Sequence, residues 1–289
     1  MCFSPPISIA VGSISWAMAA WLTMRKEGIC LGRRSLMFWY FGLIEFLQVA
    51  QYAVADQCDN SVNKALTYMA YMHVAFQPLV VNHYFWSGFK GSRPELVKFI
   101  LRLSLVGGVM MLFRLPGMPL GYLGDLLHKY IPDLPPSSMH GQACHFMEAS
   151  CSPKLCSVTG GAWGHISWAV PLLPSTYLIP GASMHATLFF LPTLLMAGGV
   201  RYWLMMACVV FGPLLSMFVS RGDAGTYALE WPTIWCFFAA IQVIVAAICE
   251  FAAPDAFAEP PGTKALESAA GAKAPISLTA DASAKAKAQ

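Results

Sequence analysis

Glu45 and His73 are ionisable residues inside long apolar runs, and an amide side chain accompanies each of them. Gln48 follows Glu45 by three residues, and Gln77 follows His73 by four. Residues at these spacings share one face of a helix. A carboxyl group and an imidazole in such surroundings can exchange protons, act as acid and base, or hold a cation. His185 lies in a later apolar run, so the candidate metal ligands are Glu45, His73 and His185; the residue pattern identifies no cofactor.

The segments that carry these residues are typical of membrane-spanning helices. The chain has 289 residues, of which 57% are hydrophobic and 11% charged, whereas a soluble domain has about 25% charged residues. About 20 apolar residues cross the hydrocarbon core as a helix, and backbone groups in lipid must be hydrogen-bonded internally. We therefore predict an all-α polytopic membrane helix bundle. Its seven predicted spans are residues 4–24, 35–55, 62–87, 95–114, 181–199, 202–220 and 231–251.

The partners predicted from composition are the lipid bilayer and a small molecule or ion. A formal net charge of +3 does not indicate a nucleic-acid partner. Lys and Arg concentrate in the connections after the first, third and fifth spans: Arg25, Lys26, Arg33, Arg34, Lys90, Arg93, Lys98 and Arg201. Because positive loops stay cytoplasmic, the N-terminus is predicted outside or lumenal and the C-terminus cytoplasmic. This pattern assigns a topology and leaves the membrane unidentified.

Residues 1–252 form the predicted membrane domain, and residues 253–289 a predicted disordered cytoplasmic tail rich in Ala, Pro, Gly, Ser and Lys. The outer loop at 115–180 is too long to lack structure of its own. Within it, residues 121–131 predict an amphipathic helix lying in the plane of the membrane interface. Residues 161–180 are apolar but interrupted by Gly and Pro, which predicts a dipping or lid-like segment.

Glu45 and His73 are predicted to meet near the middle of the bilayer. At 1.5 Å per residue, Glu45 lies roughly 14 Å from the inner end of its helix and His73 roughly 17 Å from the outer end of the next. An ionised carboxylate at that depth costs about 2.5–3.5 kcal/mol. Glu45 is therefore expected to be protonated, paired with His73, or bound to a cation. The short connection makes the two helices antiparallel neighbours, which favours the pair.

Two further features of these helices refine the prediction. Pro78 has no N–H to donate to the carbonyl of Val74, which leaves that oxygen free and bends the helix. On the preceding helix, Gln51 lies off the stripe predicted to face the site. That stripe consists of Phe38, Phe41, Glu45, Gln48 and Tyr52.

Four cysteines on the predicted outer side are candidates for disulfides: Cys58, Cys144, Cys151 and Cys156. The last three are spaced C-x6-C-x4-C, which does not match the short steps of structural zinc sites. One or two disulfides that hold the outer loop are therefore preferred over a zinc site, provided that the outer compartment is oxidising. Cys2 is a fifth outward cysteine, so at least one is left without a partner within the chain.

Several short motifs of the sequence resemble those of an uncharacterised family of multi-pass membrane proteins. The motifs are "MCFSP", "DQCDNSVNK", "HVAFQP", "GHISWAVP" and "IWCFF". Members of that family open with Met-Cys-Phe-Ser and carry His-x3-Gln-Pro in the third helix. The resemblance covers roughly residues 1–250 and implies that Cys2, His73 and Gln77 belong together. It implies no activity.

Two functions from different classes fit these residues. The first is a carrier or channel for a small solute or cation, with Glu45 as the titrating group and His73 and Gln77 along the path. The second is a membrane-embedded enzyme, possibly metal-dependent, that uses Glu45, His73 and His185. A ligand-sensing protein with seven helices is a third hypothesis, supported only by the helix count.

Overall fold

The computed structural model describes most of the chain up to residue 194 and a few positions beyond it. The described residues are 4–24, 28–85, 94–142, 144, 150–160, 164–179, 181–194, 241, 243–248 and 251. The predicted span at 202–220, most of that at 231–251, the tail and Cys2 lie outside these residues.

Four long helices correspond to the first four predicted spans: three agree within two residues at each end, whereas the second begins seven residues earlier and ends three residues earlier than predicted. They are α1 (Pro5–Met24), α2 (Gly28–Tyr52), α3 (Ser61–Phe85) and α4 (Pro94–Phe113). Two of them, α1 and the Glu95–Phe113 part of α4, are long and apolar enough to cross a membrane by length and composition. Helix α6 (Ala182–Leu194) covers most of the fifth predicted span within the described residues.

The outer loop has structure of its own. It contains a short helix α5 (Pro119–Leu127), a 3₁₀ turn (Ser137–Met139) and two strands, β1 (Cys156–Gly160) and β2 (His165–Ala169). The strands pair antiparallel, with Cys156 opposite Ala169. The all-α prediction missed this hairpin because each strand has only five residues. Apolar runs that short do not distinguish a strand from a helix by periodicity.

Local signals in the sequence explain where the helices start. Pro5 and Pro94 are the first residues of α1 and α4, where the missing N–H of proline costs nothing. Asn60 caps α3, since its side-chain oxygen accepts a hydrogen bond from the N–H of Val62 at 2.9 Å. A side-chain cap satisfies a backbone donor that has no partner within the helix.

Helix α1 packs closely on α2 through a face of small residues. Ser8, Gly12, Ser15 and Ala19 are all buried on α1. A Cβ atom added to Gly12 would lie 3.2 Å from the Cβ of Glu45, so α1 passes directly over that side chain. Small residues let helix backbones approach to this distance, as is common between membrane helices.

Candidate functional site

His73 lies at the α2–α3 interface and stacks on Tyr40. The two ring centroids are 3.7 Å apart with an interplanar angle of 18°. The Tyr40 hydroxyl donates a hydrogen bond to the backbone carbonyl of His73. The side chain of His73 is buried, yet its Nε2 atom has no hydrogen-bond partner in the described part of the chain. One histidine nitrogen is therefore left with unused hydrogen-bonding capacity in the interior.

Glu45 lies on a different side of α2, toward α1. Its Cβ lies against Gly12, and the Ser8 hydroxyl is its hydrogen-bond partner on that helix. Glu45 and His73 are both described, and no hydrogen bond or ion pair joins them, so the predicted contact is wrong. The physical reason is helical rotation: the five residues from Tyr40 to Glu45 turn the side chain by about 140°. Tyr40 faces α3, and Glu45 therefore does not.

Gln48 is fully buried beside the same part of α1. Its Oε1 accepts a hydrogen bond from the Ser8 hydroxyl at 3.4 Å, whereas its Nε2 atom has no partner among the described residues. Ser8 is thus shared between the acid and the amide. A buried polar atom without a partner costs about 1–3 kcal/mol, so its persistence in the fold calls for an explanation.

Pro78 lies inside α3 and has no N–H for the Val74 carbonyl, which another helix satisfies. His185 of α6 hydrogen-bonds through Nε2 to the carbonyl oxygen of Val74 at 2.8 Å. Because a carbonyl can only accept, His185 carries its proton on Nε2 in this contact. The oxygen predicted to be free thus has a partner, and His185 binds backbone rather than joining Glu45 and His73.

The polar side chains follow one another along the bundle. Tyr40 contacts His73 and Gln51 contacts Leu66, so α2 and α3 run antiparallel. With 1.5 Å per residue, Glu45 lies about 7 Å and Gln48 about 12 Å outward of the Tyr40–His73 level. Gln77 is about 6 Å inward of that level on the same face of α3. Buried polar groups therefore extend over roughly 18 Å along the helix axes.

Gln51, which the sequence stripe excluded, closes the outer end of this series. Its Nε2 donates to the carbonyl of Leu66 at 3.1 Å and to the Ser157 hydroxyl at 3.0 Å. Its Oε1 accepts from the indole N–H of Trp168 at 3.2 Å. All its hydrogen-bonding groups are used, unlike those of Gln48. Gln51 lies eleven residues, or three turns, after Tyr40 and so shares the face of α2 that contacts α3, but nothing in the sequence showed that Tyr40 faces α3.

Asn63 attaches the hairpin to the start of α3. Its amide nitrogen donates to the Ser157 carbonyl at 2.9 Å, and its oxygen accepts from the Ser157 N–H at 2.8 Å. The Thr67 hydroxyl adds a 2.8 Å contact with the hydroxyl of Ser157. The sequence analysis missed this network, because a pairing across 94 residues has no local signature.

Arg114 is a further buried residue that the sequence did not single out. It follows the end of α4, is fully buried, and donates from Nε and one terminal nitrogen to the carbonyl of Leu173, at 2.8 and 2.6 Å. The Leu173 N–H in turn donates to the Arg114 carbonyl at 3.0 Å. The long side chain thereby ties the end of α4 to the segment that precedes α6.

All four cysteines named as disulfide candidates are paired. Cys58 bonds to Cys156 across 98 residues, and Cys144 to Cys151 across seven. The first bond connects the α2–α3 connection to strand β1. Together with Asn63, it fixes the hairpin over the end of α2 and the start of α3.

The candidate metal ligands do not come together. Among the described residues, no three His, Cys, Asp or Glu side chains form a group that could hold a metal ion. Glu45 faces α1, His73 stacks on Tyr40, and His185 binds the Val74 carbonyl. The arrangement is a series of polar groups and not a single chelating centre.

Comparison with known proteins identifies a family and no activity. The profile of DUF5765, described as a family of unknown function, matches residues 6–253. The predicted resemblance to an uncharacterised family is confirmed at this level, whereas multi-pass insertion in a membrane stays a prediction. No curated protein and no solved structure matches the chain.

Proposed function

We propose that this chain, which belongs to the DUF5765 family of unknown function, is an integral membrane protein that carries or conducts a small cation or solute. The path runs along α2, from Ser8, Glu45 and Gln48 at its interface with α1 to His73 and Gln77 at its interface with α3, and we call these five residues the polar seam. One observation carries the proposal: His73 Nε2 and Gln48 Nε2 are buried at different depths without a partner in the described part of the chain. A solute that passes between them supplies the missing hydrogen bonds.

The distribution of polar and apolar side chains supports a location in a membrane. Large apolar residues are exposed on those faces of the four long helices that point away from the bundle interior, including Ile14, Leu43, Met69 and Val106. Polar residues such as Glu45 are buried between the helices instead. In water this arrangement is unfavourable, because apolar surface is hydrated while polar groups are desolvated. In lipid it is the stable one.

The disulfides support the orientation. Both bonds join parts of the chain that the positive-inside pattern assigns to the outer or lumenal side: the α2–α3 connection and the loop at 115–180. Disulfides persist in oxidising compartments and are rare in the cytosol. An N-terminus on the oxidising side and a cytoplasmic C-terminus satisfy both the charge pattern and the disulfides.

The seam provides two kinds of group for transport. Glu45 is an acid that can take up and release a proton or balance the charge of a passing cation, and the Ser8 hydroxyl orients it. Gln48, His73 and Gln77 offer hydrogen bonds at successive depths. Several weak sites in sequence suit conduction better than one strong site, because a solute must leave each site as readily as it enters.

The proposal is tested by ion flux into proteoliposomes made with the purified protein. Vesicles contain pyranine to report proton entry under an imposed potential, and parallel vesicles report Na⁺ and K⁺ with ion-selective dyes. Two glutamines of α2 form a matched pair of variants. Gln48→Leu is expected to retain thermal stability and lose most of the flux, whereas Gln51→Leu is expected to lose stability because it breaks three hydrogen bonds.

His73→Phe provides an independent check, because a phenyl ring keeps the stack on Tyr40 and removes the unpartnered nitrogen. We expect this variant to fold and to conduct far less than the wild type. Equal flux in the wild type, Gln48→Leu and His73→Phe would contradict the seam as the path. Flux of all three ions at the level of protein-free vesicles would contradict cation transport.

A further inference from the structure

Helix α5 presents its large apolar side chains outward. Tyr122 and Leu126 are 63% and 75% exposed and lie four residues apart on one face of α5, and Tyr130, three residues after the helix ends, is 76% exposed. Leu123 lies beside them and is also exposed. In the segment before α6, Tyr177 is 100% exposed and Leu178 is 54% exposed. We call these six residues the outer patch.

The packing on the opposite side of α5 explains why these side chains face outward. Gly121 and Gly124 are buried against the segment 135–137. A Cβ on Gly124 would overlap the carbonyl oxygen of Pro135, so only glycine fits there. The helix is therefore held by its small residues while its large apolar residues are left outside. This is the reverse of what a helix on a water-soluble domain does.

A shared core joins the two parts of the outer patch into one unit. Leu120 and Leu173 pack together in a cluster that Phe113 and Leu127 adjoin. The Asp125 carboxylate accepts a hydrogen bond from the N–H of Ser137 at 2.7 Å, which fixes the 3₁₀ turn beneath α5. The exposed residues are thus carried on a packed support and not on a loose loop.

The position of the outer patch along the chain places it next to the ends of two helices. Helix α5 starts at Pro119, six residues after α4 ends at Phe113, and Tyr177 lies five residues before α6 starts at Ala182. Arg114, the residue after α4, and Leu173, four residues before Tyr177, hydrogen-bond to each other and connect the two segments. If α4 crosses the membrane, the patch lies where the helix leaves it.

From these observations we propose that the outer patch inserts into the headgroup layer of the outer or lumenal leaflet. The proposal rests on the membrane location proposed above. Tyrosine suits this layer because its ring is apolar and its hydroxyl is polar, and leucine reaches the acyl chains. Amphipathic helices of this kind bury their apolar face about 5–10 Å into the headgroup boundary. None of the six residues is charged.

The occupant is a lipid surface rather than a second protein, for two reasons. The two parts of the patch lie close in sequence to the end of α4 and the start of α6, which the predicted topology puts at the same bilayer surface. The patch consists of three Tyr and three Leu side chains, and Tyr is enriched at membrane interfaces. The patch then anchors the outer subdomain beside the end of the polar seam.

Photocrosslinking of the full-length protein in phosphatidylcholine vesicles tests this proposal. A diazirine analogue of leucine is introduced at position 126, and adducts are identified by mass spectrometry after irradiation. Ser138 is the matched control, because it is exposed in the same subdomain on the 3₁₀ turn that covers the other face of α5. Val106 on the exposed face of α4 reports membrane insertion itself.

We expect lipid adducts at positions 126 and 106, with a yield at 126 about tenfold above that at 138. Lipid adducts at 106 without any at 126 overturn the lipid-bound patch and leave the membrane location standing. Absence of lipid adducts at both positions overturns both proposals. Adducts at 126 between two protein chains, in place of lipid, identify a second copy as the occupant and also overturn this inference.

Discussion

Two histidines of this protein are equally buried but differ in their hydrogen bonds, and this difference predicts opposite responses to the same substitution. His73 and His185 are each 7% exposed. His185 bonds through Nε2 to the Val74 carbonyl, whereas His73 Nε2 has no partner in the described residues. We expect His185→Phe to destabilise the fold and His73→Phe to leave stability unchanged or slightly higher.

The magnitude follows from Pro78. Val74 is four residues before Pro78, which has no N–H, so removal of the His185 donor leaves a buried carbonyl oxygen with no donor in its own helix. Hydrogen bonds between membrane helices average about 0.6 kcal/mol, and a buried unsatisfied group costs about 1–3 kcal/mol. We therefore expect His185→Phe to lower the free energy of unfolding by about 1–2 kcal/mol.

Pro78→Ala gives a rescue that separates this cause from a packing defect. Alanine restores an N–H that can donate to the Val74 carbonyl, so the cost of His185→Phe is expected to fall by about 1 kcal/mol in that background. His73→Phe serves as the matched control, since it changes the same side chain at the same burial. Its effect on stability is expected to be the same with or without the Pro78→Ala substitution.

The assay is equilibrium unfolding of the purified protein in mixed micelles, with SDS as denaturant and far-UV circular dichroism as the signal. The measurements form double-mutant cycles. They include the wild type, the three single variants, and the two double variants that combine Pro78→Ala with each histidine substitution. Additive effects of His185→Phe and Pro78→Ala would refute the reasoning, because they would show that the Val74 carbonyl is not what couples them. A large loss of stability for His73→Phe would equally refute the assignment of His73 as an unpartnered group.

Three further predictions concern other parts of the fold. Replacing Cys58 and Cys156 together by Ser opens a loop of 98 residues, for which the chain-entropy estimate is about 4.7 kcal/mol. In the proposed membrane setting the helices stay inserted after unfolding, so we expect the free energy of unfolding to fall by about 2–4 kcal/mol. A loss smaller than that caused by replacing Cys144 and Cys151, which close a seven-residue loop, would contradict this. Glu45→Gln is expected to fold normally, whereas Glu45→Lys is expected not to fold. Both are measured by protein yield and melting temperature, and normal values for the lysine variant would show that the site is exposed. Hydrogen bonds from the hydroxyl and N–H of Ser137 lower the pKa of Asp125 below its ordinary value of 3.8. This carboxylate therefore stabilises the 3₁₀ turn above its unfolded pKa and ceases to do so as pH falls through its folded pKa. A protection factor of the Ser137 amide, corrected for the intrinsic pH dependence of exchange, that stays constant from pH 6 to below the folded pKa would contradict this.

Helix positions could be predicted from the sequence because they depend on local properties. Apolar length is a property of one continuous segment, and the prolines at the starts of α1 and α4 and the Asn60 cap act within one turn of the chain. The four candidate disulfide cysteines were chosen in the same way, since the charges of nearby loops predict that they lie on one side of a membrane. Their pairing was not, because four cysteines allow three connectivities.

The neighbours of each polar residue could not be predicted in the same way. Glu45 and His73 differ by less than two helical turns in position along the bundle axis, yet the rotation of side chains about the α2 axis places Glu45 against α1. Choosing the stripe through Glu45 excluded Gln51, the residue that contacts α3 and the hairpin. An error of one position turns a side chain by about 100°, and that decides which helix it meets.

The sequence by itself determined which residues are polar within apolar helices and that Pro78 frees the Val74 carbonyl, since both follow from residue type and from the four-residue hydrogen-bond step of a helix. Only the tertiary structure decided that His185 donates a hydrogen bond to that carbonyl and that Ser8 hydrogen-bonds to Glu45 and Gln48. It also decided that Ser157 supplies hydrogen-bond partners for Gln51 and Asn63. Those partners are brought together by the packing of helices distant in sequence. No pattern along a single helix encodes which neighbour will face it.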